Sequence, residues 1–420
     1  MLDIKFIREN IEQVKRDTIN KGYKNVDVDV VLELDDQRKK IGQQADELRA
    51  RRNQIADSMK QTGGKPAPEL IEEGKKIKEE LAGIETELRV LEEQVLSGLN
   101  SIPNILQSDV PIGEEGEDAL VKTWGEHLFE GRQNAQDHLD FAMKKNWVDF
   151  ERGSKVAGTK FYFLKGDLAL LENAIYQFAL NKLIAKGFNF MTVPHMVNGN
   201  VATGTGFAPR ASEQSDEYFI EGEDLSLIAT AEMSLTGYHA GEILQEKDLP
   251  LLYAGYSPCY RKEAGTYGKH TRGLFRVHQF NKLEMYAYTT PEQSAEIHEK
   301  ILAIEEEIYQ DLGIPYRVIN IASGDLGAPA SKKYDIEYWS PVDGSYREIT
   351  SCSNCTDYQA RNLNIRVRRE SGELQVVHTL NGTAVSLARC LVAVLENFQD
   401  GEHLALPEVL RPFMNNRDRI

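Results

Sequence analysis

The pattern that most constrains the fold of this chain is a pair of heptad repeats between residues 33 and 97. Each repeat has an apolar residue every seven positions and a companion apolar seam, the spacing of α-helices that pack along their length. The repeats break at 61–68, QTGGKPAP, where two glycines and two prolines cannot continue a helix. We therefore predict an antiparallel helical hairpin with helices of about 28 residues, roughly 40 Å long. The repeating positions are Leu34, Ile41, Leu48 and Ile55, then Leu70, Ile77, Ile84 and Leu91.

Two uses of such a hairpin remain open at this point. Heptads most often serve dimerisation, but a tip loop gives each helix a partner within its own chain, so we expect a projecting arm. Residues 38–65 carry eight basic and three acidic side chains. This stretch could meet a phosphate backbone, whereas solvated coiled-coil flanks would have a similar composition.

Composition narrows the class of protein. The 420 residues are 41% hydrophobic, which is typical of a globular chain. The net charge of −17 argues against a general nucleic-acid binder, so any RNA contact must be local. Four cysteines, no membrane-spanning apolar run and a charged N-terminus predict a cytoplasmic protein without a membrane partner.

The rest of the chain indicates an α+β fold with an antiparallel sheet flanked by helices. Short strand-like runs recur from residue 188 to 369, between a strong helix at 167–186 and a final helix at about 384–398. We predict an arm at 1–100, a proline- and glycine-containing linker at 101–118 and a main domain at 119–420.

The stretch 260–286, YRKEAGTYGKHTRGLFRVHQFNKLEMY, resembles two strands joined by a basic, glycine-bearing loop. Arg261 and Glu263 open it, and Arg276, Phe280 and Glu284 close it with the even spacing of one strand face. Arginines could meet phosphate, a phenylalanine could stack on a base, and glutamates could accept from amines. A hairpin with solvated charges is the alternative, but it would not interleave an aromatic with charges on one face.

Three further segments carry candidate chemistry. Thr230-Ala231-Glu232 could hold an ammonium group, or could simply cap a helix. Glu348 and Ser351, in EITS, could hold a divalent cation and phosphate oxygens, or form an ordinary sheet edge.

The last segment is Leu380-Asn381-Gly382-Thr383-Ala384, followed by Arg389. Asn-Gly predicts a turn, Thr383 a helix cap, and Arg389 a position six residues into the helix. An arginine among apolar neighbours is costly unless it pairs with an anion, although it could also face solvent.

Two tempting signals carry little weight. Cys352 and Cys355 form a CxxC, but no second pair of ligands with suitable spacing follows, so we predict no zinc. Neither a phosphate-binding GxxxxGK[ST] loop nor a GxGxxG after a strand is present in the sequence.

Taken together, the arm, TAE, RKE…FRVHQFNKLE, EITS and TLNGTAVSLAR resemble the bacterial-type seryl-tRNA synthetases, a family of class II aminoacyl-tRNA synthetases. The resemblance covers essentially the whole chain. It implies a class II catalytic fold in a homodimer. The 167–186 helix and the strand with Pro194 are similar to motif 1 at the dimer interface, 260–286 to motif 2, and 382–398 to motif 3.

The resemblance implies a serine–tRNA ligase that makes seryl-adenylate from ATP and L-serine, then charges tRNA(Ser) and also tRNA(Sec). Catalysis would rest on Arg261, Glu284 and Arg389, with Mg²⁺ held beside ATP by Glu348 and Ser351 and no zinc. The implied L-serine site is Thr230, Ala231, Glu232, Arg261, Glu284, Asn381 and Thr383. The implied ATP site is Arg261, Lys262, Glu263, Arg276, Val277, Phe280, Glu348, Ile349, Thr350, Ser351 and Arg389.

The family's arm grips the long variable arm of its tRNA, and the resemblance assigns the basic loop at 269–272 to the tRNA acceptor end. Arg361-Asn362 stands where the family often has two arginines, which leaves a basic contact there open. A paralogue that loads a carrier protein would be expected to lack the arm. A non-catalytic RNA-binding scaffold would be expected to have lost Arg261, Glu284 or Arg389.

Overall fold

The computed structural model describes residues 1–61, 67–128, 135–206, 216–263 and 272–420. These form two compact units, Met1–Ile105 and Leu106–Ile420. Most of the predicted arm tip at 63–68 and most of the basic loop at 269–272 lie outside the described residues. None of the helices in the described ranges combines the length and the apolar character that a membrane crossing requires.

The first unit contains the two long helices that the heptads predict. Its elements are α1 (Ile4–Glu9), α2 (Ile11–Asn20), α3 (Val28–Gln61) and α4 (Pro68–Ser101). Helices α3 and α4 are each 34 residues long, compared with the predicted length of about 28 residues. They run antiparallel, because Gly98 lies against Val31 and Gly74 lies near Ile55. Their buried seam includes Ala45, Ile55, Ile77, Leu81, Leu91 and Val95.

Some of the basic residues on α3 are already paired within the hairpin. Arg49 Nη2 is 2.8 Å from Glu85 Oε1, and Arg51 Nη2 is 2.7 Å from Glu73 Oε1. These contacts fit the coiled-coil-flank interpretation for Arg49 and Arg51. Exposed Lys40 and Arg52, by contrast, make no ion pair with any residue that the structure describes.

The second unit is built on an eight-stranded sheet. Its strands and those of the smaller sheets are β1 (Ala119–Trp124), β2 (Val148–Asp149), β3 (Phe163–Leu164), β4 (Asn189–Thr192), β5 (Met196–Asn198), β6 (Leu225–Leu227), β7 (Ile243–Gln245), β8 (Leu251–Tyr260), β9 (Gln279–Thr289), β10 (Tyr316–Asn320), β11 (Lys332–Ser340), β12 (Ser345–Asn354), β13 (Arg366–Arg368), β14 (Leu374–Val376) and β15 (His378–Ser386). The order in the large sheet is β1-β10-β11-β12-β15-β9-β8-β4. All neighbouring pairs in it are antiparallel except β4 and β8, which are parallel, so the predicted α+β fold is confirmed.

Helices cover the sheet and enclose the core. They are α5 (His138–Lys144), α6 (Phe150–Ala157), α7 (Gly166–Ala185), α8 (Gly199–Thr205), α9 (Ala231–Gly237), α10 (Ser294–Leu312), α11 (Tyr358–Asn362) and α12 (Leu387–Phe398). The main core joins Leu171 and Ile175 of α7, Ile301 of α10 and Leu391 of α12. A second apolar cluster surrounds α9 and includes Tyr286 and Tyr288.

The prediction that 380–384 forms a turn leading into a helix is wrong. Residues 378–386 form β15, and α12 begins only at Leu387, so Thr383 caps no helix. Pairing with β12 and β9 satisfies the backbone of this segment, and this outweighs the local turn preference of Asn-Gly. Gly382 serves close packing instead, since a Cβ there would lie 2.3 Å from Ile301 Cγ2 of α10.

The strand that contains Pro194 is interrupted at this residue, where a proline favours an edge position: β4 is the edge strand of the large sheet, and β5 pairs with β6. The start of β9 differs from the sequence prediction. Arg276 precedes β9 and follows a short 3-10 turn at Gly273–Phe275, so it does not share a strand face with Phe280 and Glu284.

Candidate active site

The ends of β8 and β9, the strands β12 and β15 and the start of α12 surround a polar cavity of about 350 Å³. Ten of the eleven residues predicted to bind ATP line this cavity. They are Arg261, Glu263, Arg276, Val277, Phe280, Glu348, Ile349, Thr350, Ser351 and Arg389. Lys262 is the exception, because its ammonium lies 5.8 Å and 5.5 Å from the ring centroids of Tyr218 and Phe219.

Strand pairing positions the first wall of the cavity. Cys259 of β8 lies opposite Phe280 of β9, and Arg261 follows where β8 ends. The guanidinium carbon of Arg261 is 5.4 Å from the Phe280 ring centroid. Glu263 adopts a φ of 50°, and its Oε2 is 3.1 Å from Arg276 Nη1. A cationic group therefore lies beside an aromatic face, the arrangement expected for a phosphate next to a stacked base.

The opposite wall is an ion pair between Arg389 and Glu348. Arg389 lies in the first turn of α12, where the helix dipole disfavours a cation, and its Nη1 is 2.8 Å from Glu348 Oε1. Burial raises the pKa of Glu348, but the charges of Arg389 and Lys333 outweigh burial and hold the pKa at about 2. Glu348 is therefore an ionised carboxylate at neutral pH, able to act as an oxygen ligand for a cation.

Behind the cavity, Glu284 is fully buried and makes three polar contacts. Its Oε2 is 2.6 Å from Lys282 Nζ and accepts from Thr383 Oγ1 at 3.2 Å. Its Oε1 accepts from Asn381 Nδ2 at 3.5 Å. The structure thus brings Asn381 and Thr383, which lie 97 and 99 positions away in the sequence, to one carboxylate.

Glu232 is a second buried acid near this group. Its Oε1 accepts from Gln359 Nε2 at 2.8 Å, while Thr230 Oγ1 accepts from the Glu232 backbone N–H at 3.3 Å. Thr230 is therefore the N-cap of α9, which the capping alternative predicted, and Ala231 is the first residue of that helix. Burial, followed by the negative charge of Glu284, raises the pKa of Glu232 to about 7.

Sequence reasoning missed several residues of this site. Lys282 lines the cavity and pairs with Glu284, and its alternation with Phe280 and Glu284 along β9 was a usable signal. Phe275 and Lys333 also line the cavity. No local pattern in the sequence pointed to these two, because tertiary packing brings them there.

The cysteines form no cluster with metal-binding spacing in the described residues. Cys259, Cys352, Cys355 and Cys390 are all free and buried. Within the described ranges, one cluster has potential ligand atoms close enough to one another to hold a metal ion. It consists of Asp137, His138 and Glu396 and contains no cysteine.

The antiparallel sheet and the arginine-lined cavity define a class II aminoacyl-tRNA synthetase core. Residues 217–398 match the family described as tRNA synthetase class II core domain (G, H, P, S and T). Residues 1–106 match the seryl-tRNA synthetase N-terminal domain.

Full-length similarity identifies the particular family. The chain is 46% identical over 419 residues to the serine–tRNA ligase of Dictyoglomus turgidum, covering 99% of this chain and 98% of that protein. It is 44% identical to the serine–tRNA ligase of Methanocella arvoryzae, with 100% of both chains covered. The crystal structure of Pyrococcus horikoshii seryl-tRNA synthetase complexed with ATP is 42% identical, with a TM-score of 0.89 over 100% of this chain and 99% of that one. The chain belongs to the seryl-tRNA synthetase family, whose members are serine–tRNA ligases.

Proposed function

We propose that this protein activates L-serine with ATP and transfers the seryl group to tRNA(Ser), and also to tRNA(Sec). The observation that carries the proposal is the placement of Arg261 and Arg389 on one cavity, with buried Glu284 behind it. Two arginines suit a polyphosphate, and a buried acceptor suits a small hydroxylated amino acid.

The first step needs no protein nucleophile. A carboxylate oxygen of serine attacks the α-phosphorus, and the bond to the β-phosphate bridging oxygen breaks, releasing pyrophosphate. A hydroxyl of the terminal tRNA ribose then attacks the seryl carbonyl carbon, and AMP leaves. The protein contributes position and charge neutralisation. Arg261 meets the α-phosphate and the serine carboxylate, and Arg389 meets the γ-phosphate. Phe280 stacks on adenine, whose amine donates to Glu263.

The buried carboxylates Glu232 and Glu284 bind the polar groups of serine. Thr230 and Glu232 hold its ammonium, while Glu284 and Thr383 meet its hydroxyl. Lys282 supports this assignment because its ammonium, 2.6 Å from Glu284 Oε2, holds in place the carboxylate that would accept from the serine hydroxyl. Alanine would leave these buried groups unpaired and be rejected strongly, whereas threonine must be rejected by size.

Class II synthetases use a divalent metal with ATP, and we propose Mg²⁺ here. Glu348 and Ser351 line the same cavity, and an ionised carboxylate with a hydroxyl suits this oxygen-preferring ion. When bound, the ion would neutralise phosphate charge and would be held by Glu348 and Ser351, while Arg389 orients the phosphate chain.

ATP–pyrophosphate exchange with each amino acid tests the proposed function. We expect exchange with serine alone, without any need for tRNA, and loss of exchange when divalent cations are chelated. Adding tRNA should then allow formation of seryl-tRNA. Absence of exchange with serine, or equal exchange with alanine, would refute the serine site.

The apparent KM for serine is expected to rise as the pH falls. Burial and the charge of Glu284 raise the pKa of Glu232 to about 7, so below that pH the group is neutral and loses its attraction for an ammonium. We expect an increase of about tenfold from pH 8 to pH 6 in exchange assays at saturating ATP. The charges of Glu284, Lys282 and Arg261 also act on Glu232, so these groups could contribute to a pH dependence. Glu232→Gln is the matched control, because it removes the titrating carboxylate and leaves the other three groups in place. That variant should have a high KM for serine with little pH dependence, and a steep dependence in it would exclude Glu232.

We further propose a homodimer in the cytoplasm. Exposed apolar side chains on or next to α7 support the dimer, namely Leu170, Ile184 and Phe163. Four buried, free cysteines support a reducing compartment. Light scattering should give twice the 47.4 kDa chain mass, and a monomeric mass would contradict the dimer.

A further inference from the structure

His138 is a buried histidine that lies outside the nucleotide cavity and contacts two of the elements that form it. It is the first residue of α5 and is 2% exposed. Its Nδ1 is 3.1 Å from Glu396 Oε1, and the backbone N–H of Leu274 donates to its Nε2 at 3.3 Å. Both contacts are satisfied when Nδ1 donates to the carboxylate and Nε2 accepts from the amide.

Glu396 is held firmly on the α12 side of this contact. Its Oε2 accepts from Tyr338 Oη at 3.1 Å and from Ser340 Oγ at 2.7 Å. Arg347 Nη1 lies 3.4 Å from its Oε1. Both carboxylate oxygens are therefore engaged, which fixes the acceptor that orients the His138 ring.

On the other side, His138 contacts the segment 272–278, which leads into β9 and is called the limb below. Gly273 has a φ of 67°, and a Cβ there would lie 2.4 Å from His138 Nε2. The next two residues, Leu274 and Phe275, line the nucleotide cavity. The Phe275 ring centroid is 5.0 Å from the guanidinium carbon of Arg389. A continuous set of contacts thus leads from His138 through the Leu274 amide and Phe275 to Arg389.

A second link between α5 and this limb lies at the surface. Arg272 Nη2 is 2.6 Å from Asp140 Oδ1, with both side chains more than half exposed. Exposed pairs of this kind contribute little to holding a geometry. The buried contact with His138 is therefore the one that can set the position of the limb.

We propose that His138 is a positioning residue for ATP binding, which holds the Gly273–Phe275 turn so that Phe275 supports Arg389 against the phosphates. The inference rests on the proposed function only in taking ATP as the ligand of the cavity. It predicts that the acceptor on Nε2, rather than the histidine as such, is required.

Two substitutions distinguish the contact of Nδ1 with Glu396 from the contact of Nε2 with the Leu274 amide. His138→Gln places an amide oxygen near the Nε2 position and can still accept from Leu274, whereas His138→Asn reaches only toward Glu396. Calorimetric titration with ATP and Mg²⁺ should show a Kd for His138→Asn at least fivefold above wild type, and His138→Gln within twofold. The KM for serine should change less than twofold in both. Asp140→Asn, which weakens the exposed link and leaves Arg272 only its 3.6 Å pair with Asp137, should match wild type.

Gly273→Ala tests the same contact from the loop side, with the histidine intact. It should raise the Kd for ATP as His138→Asn does, because the added methyl displaces the turn from Nε2. Thermal melting of each variant reports on folding. Equal ATP affinity in His138→Asn and wild type, equal losses in the Gln and Asn variants, or a lowered melting point without a change in Kd would overturn the positioning role. Wild-type protein that binds ATP without serine-dependent exchange would refute the proposed function while leaving this inference standing.

Discussion

Replacing Arg261 with alanine is expected to lower serine-dependent pyrophosphate exchange by about a thousandfold. Arg261 lines the cavity beside Phe280, where the α-phosphate is proposed to lie. Charge on that phosphate grows as the serine oxygen attacks, so a fixed cation stabilises the transition state more than the bound substrates. One preorganised donor of this kind contributes up to about 4 kcal/mol, which corresponds to the expected thousandfold loss.

The fold should tolerate the change, because Arg261 stacks on a ring and fills no part of the apolar core. Arg261→Lys keeps the charge without the planar fork and should recover only part of the activity. Arg152→Ala is the control, since that arginine is 70% exposed and, among the described residues, forms an ion pair with Asp149 alone. Arg261→Ala protein with an unchanged melting point and exchange within tenfold of wild type would show that Arg261 is wrongly placed.

The parts of the fold that sequence predicts well are those in which local pattern and tertiary contact agree. The heptads of α3 and α4 require only that apolar residues face each other, and every repeating position that the structure describes is buried or half-buried. The apolar stripe of α7 likewise corresponds to a helix that ends at Ala185, next to Gly187 with its φ of 89°. Such elements depend little on distant parts of the chain.

The site was harder to predict because its geometry depends on strand pairing. Asn381 and Thr383, which the resemblance assigns to the serine site together with Glu284, both contact that carboxylate, but the local sequence indicates a turn and a cap where β15 forms. Lys282 was overlooked because a lysine is rarely buried, and only its pairing with Glu284 shows why burial is tolerated. His138 has no motif at all, since its partners are 136 and 258 positions away.

A chain with a net charge of −17 can bind RNA only where basic side chains are concentrated, and helix α3 is such a place. On α3, Arg49 and Arg51 are engaged by glutamates of α4, so phosphate must compete for them. Lys40 and Arg52 are exposed and make no ion pair within the described ranges, so phosphate contact costs them no existing partner. We therefore expect RNA affinity to depend more on the second pair than on the first.

Deleting Gln37–Glu93 and joining the ends with a short linker is expected to abolish tRNA charging while sparing serine-dependent exchange. Gly42 of α3 lies near Leu88 of α4, so in antiparallel helices residue 37 faces residue 93 and a short linker can span the gap. The cavity residues all belong to the second compact unit and remain in the chain. Loss of several phosphate contacts should lower kcat/KM for tRNA on the order of a thousandfold. Charging that survives the deletion would show that the arm does not bind tRNA.

Paired neutralisations make the same test without removing a domain. Lys40→Gln with Arg52→Gln should weaken tRNA binding and reduce the slope of log affinity against log salt by about 1 for each lost contact. Arg49→Gln with Arg51→Gln removes the same formal charge, but these side chains already bind Glu85 and Glu73, so the change in slope should be smaller. Equal slopes for the two double variants would mean that ion pairing within the hairpin does not select which basic residues meet the RNA, and that total charge alone sets the affinity.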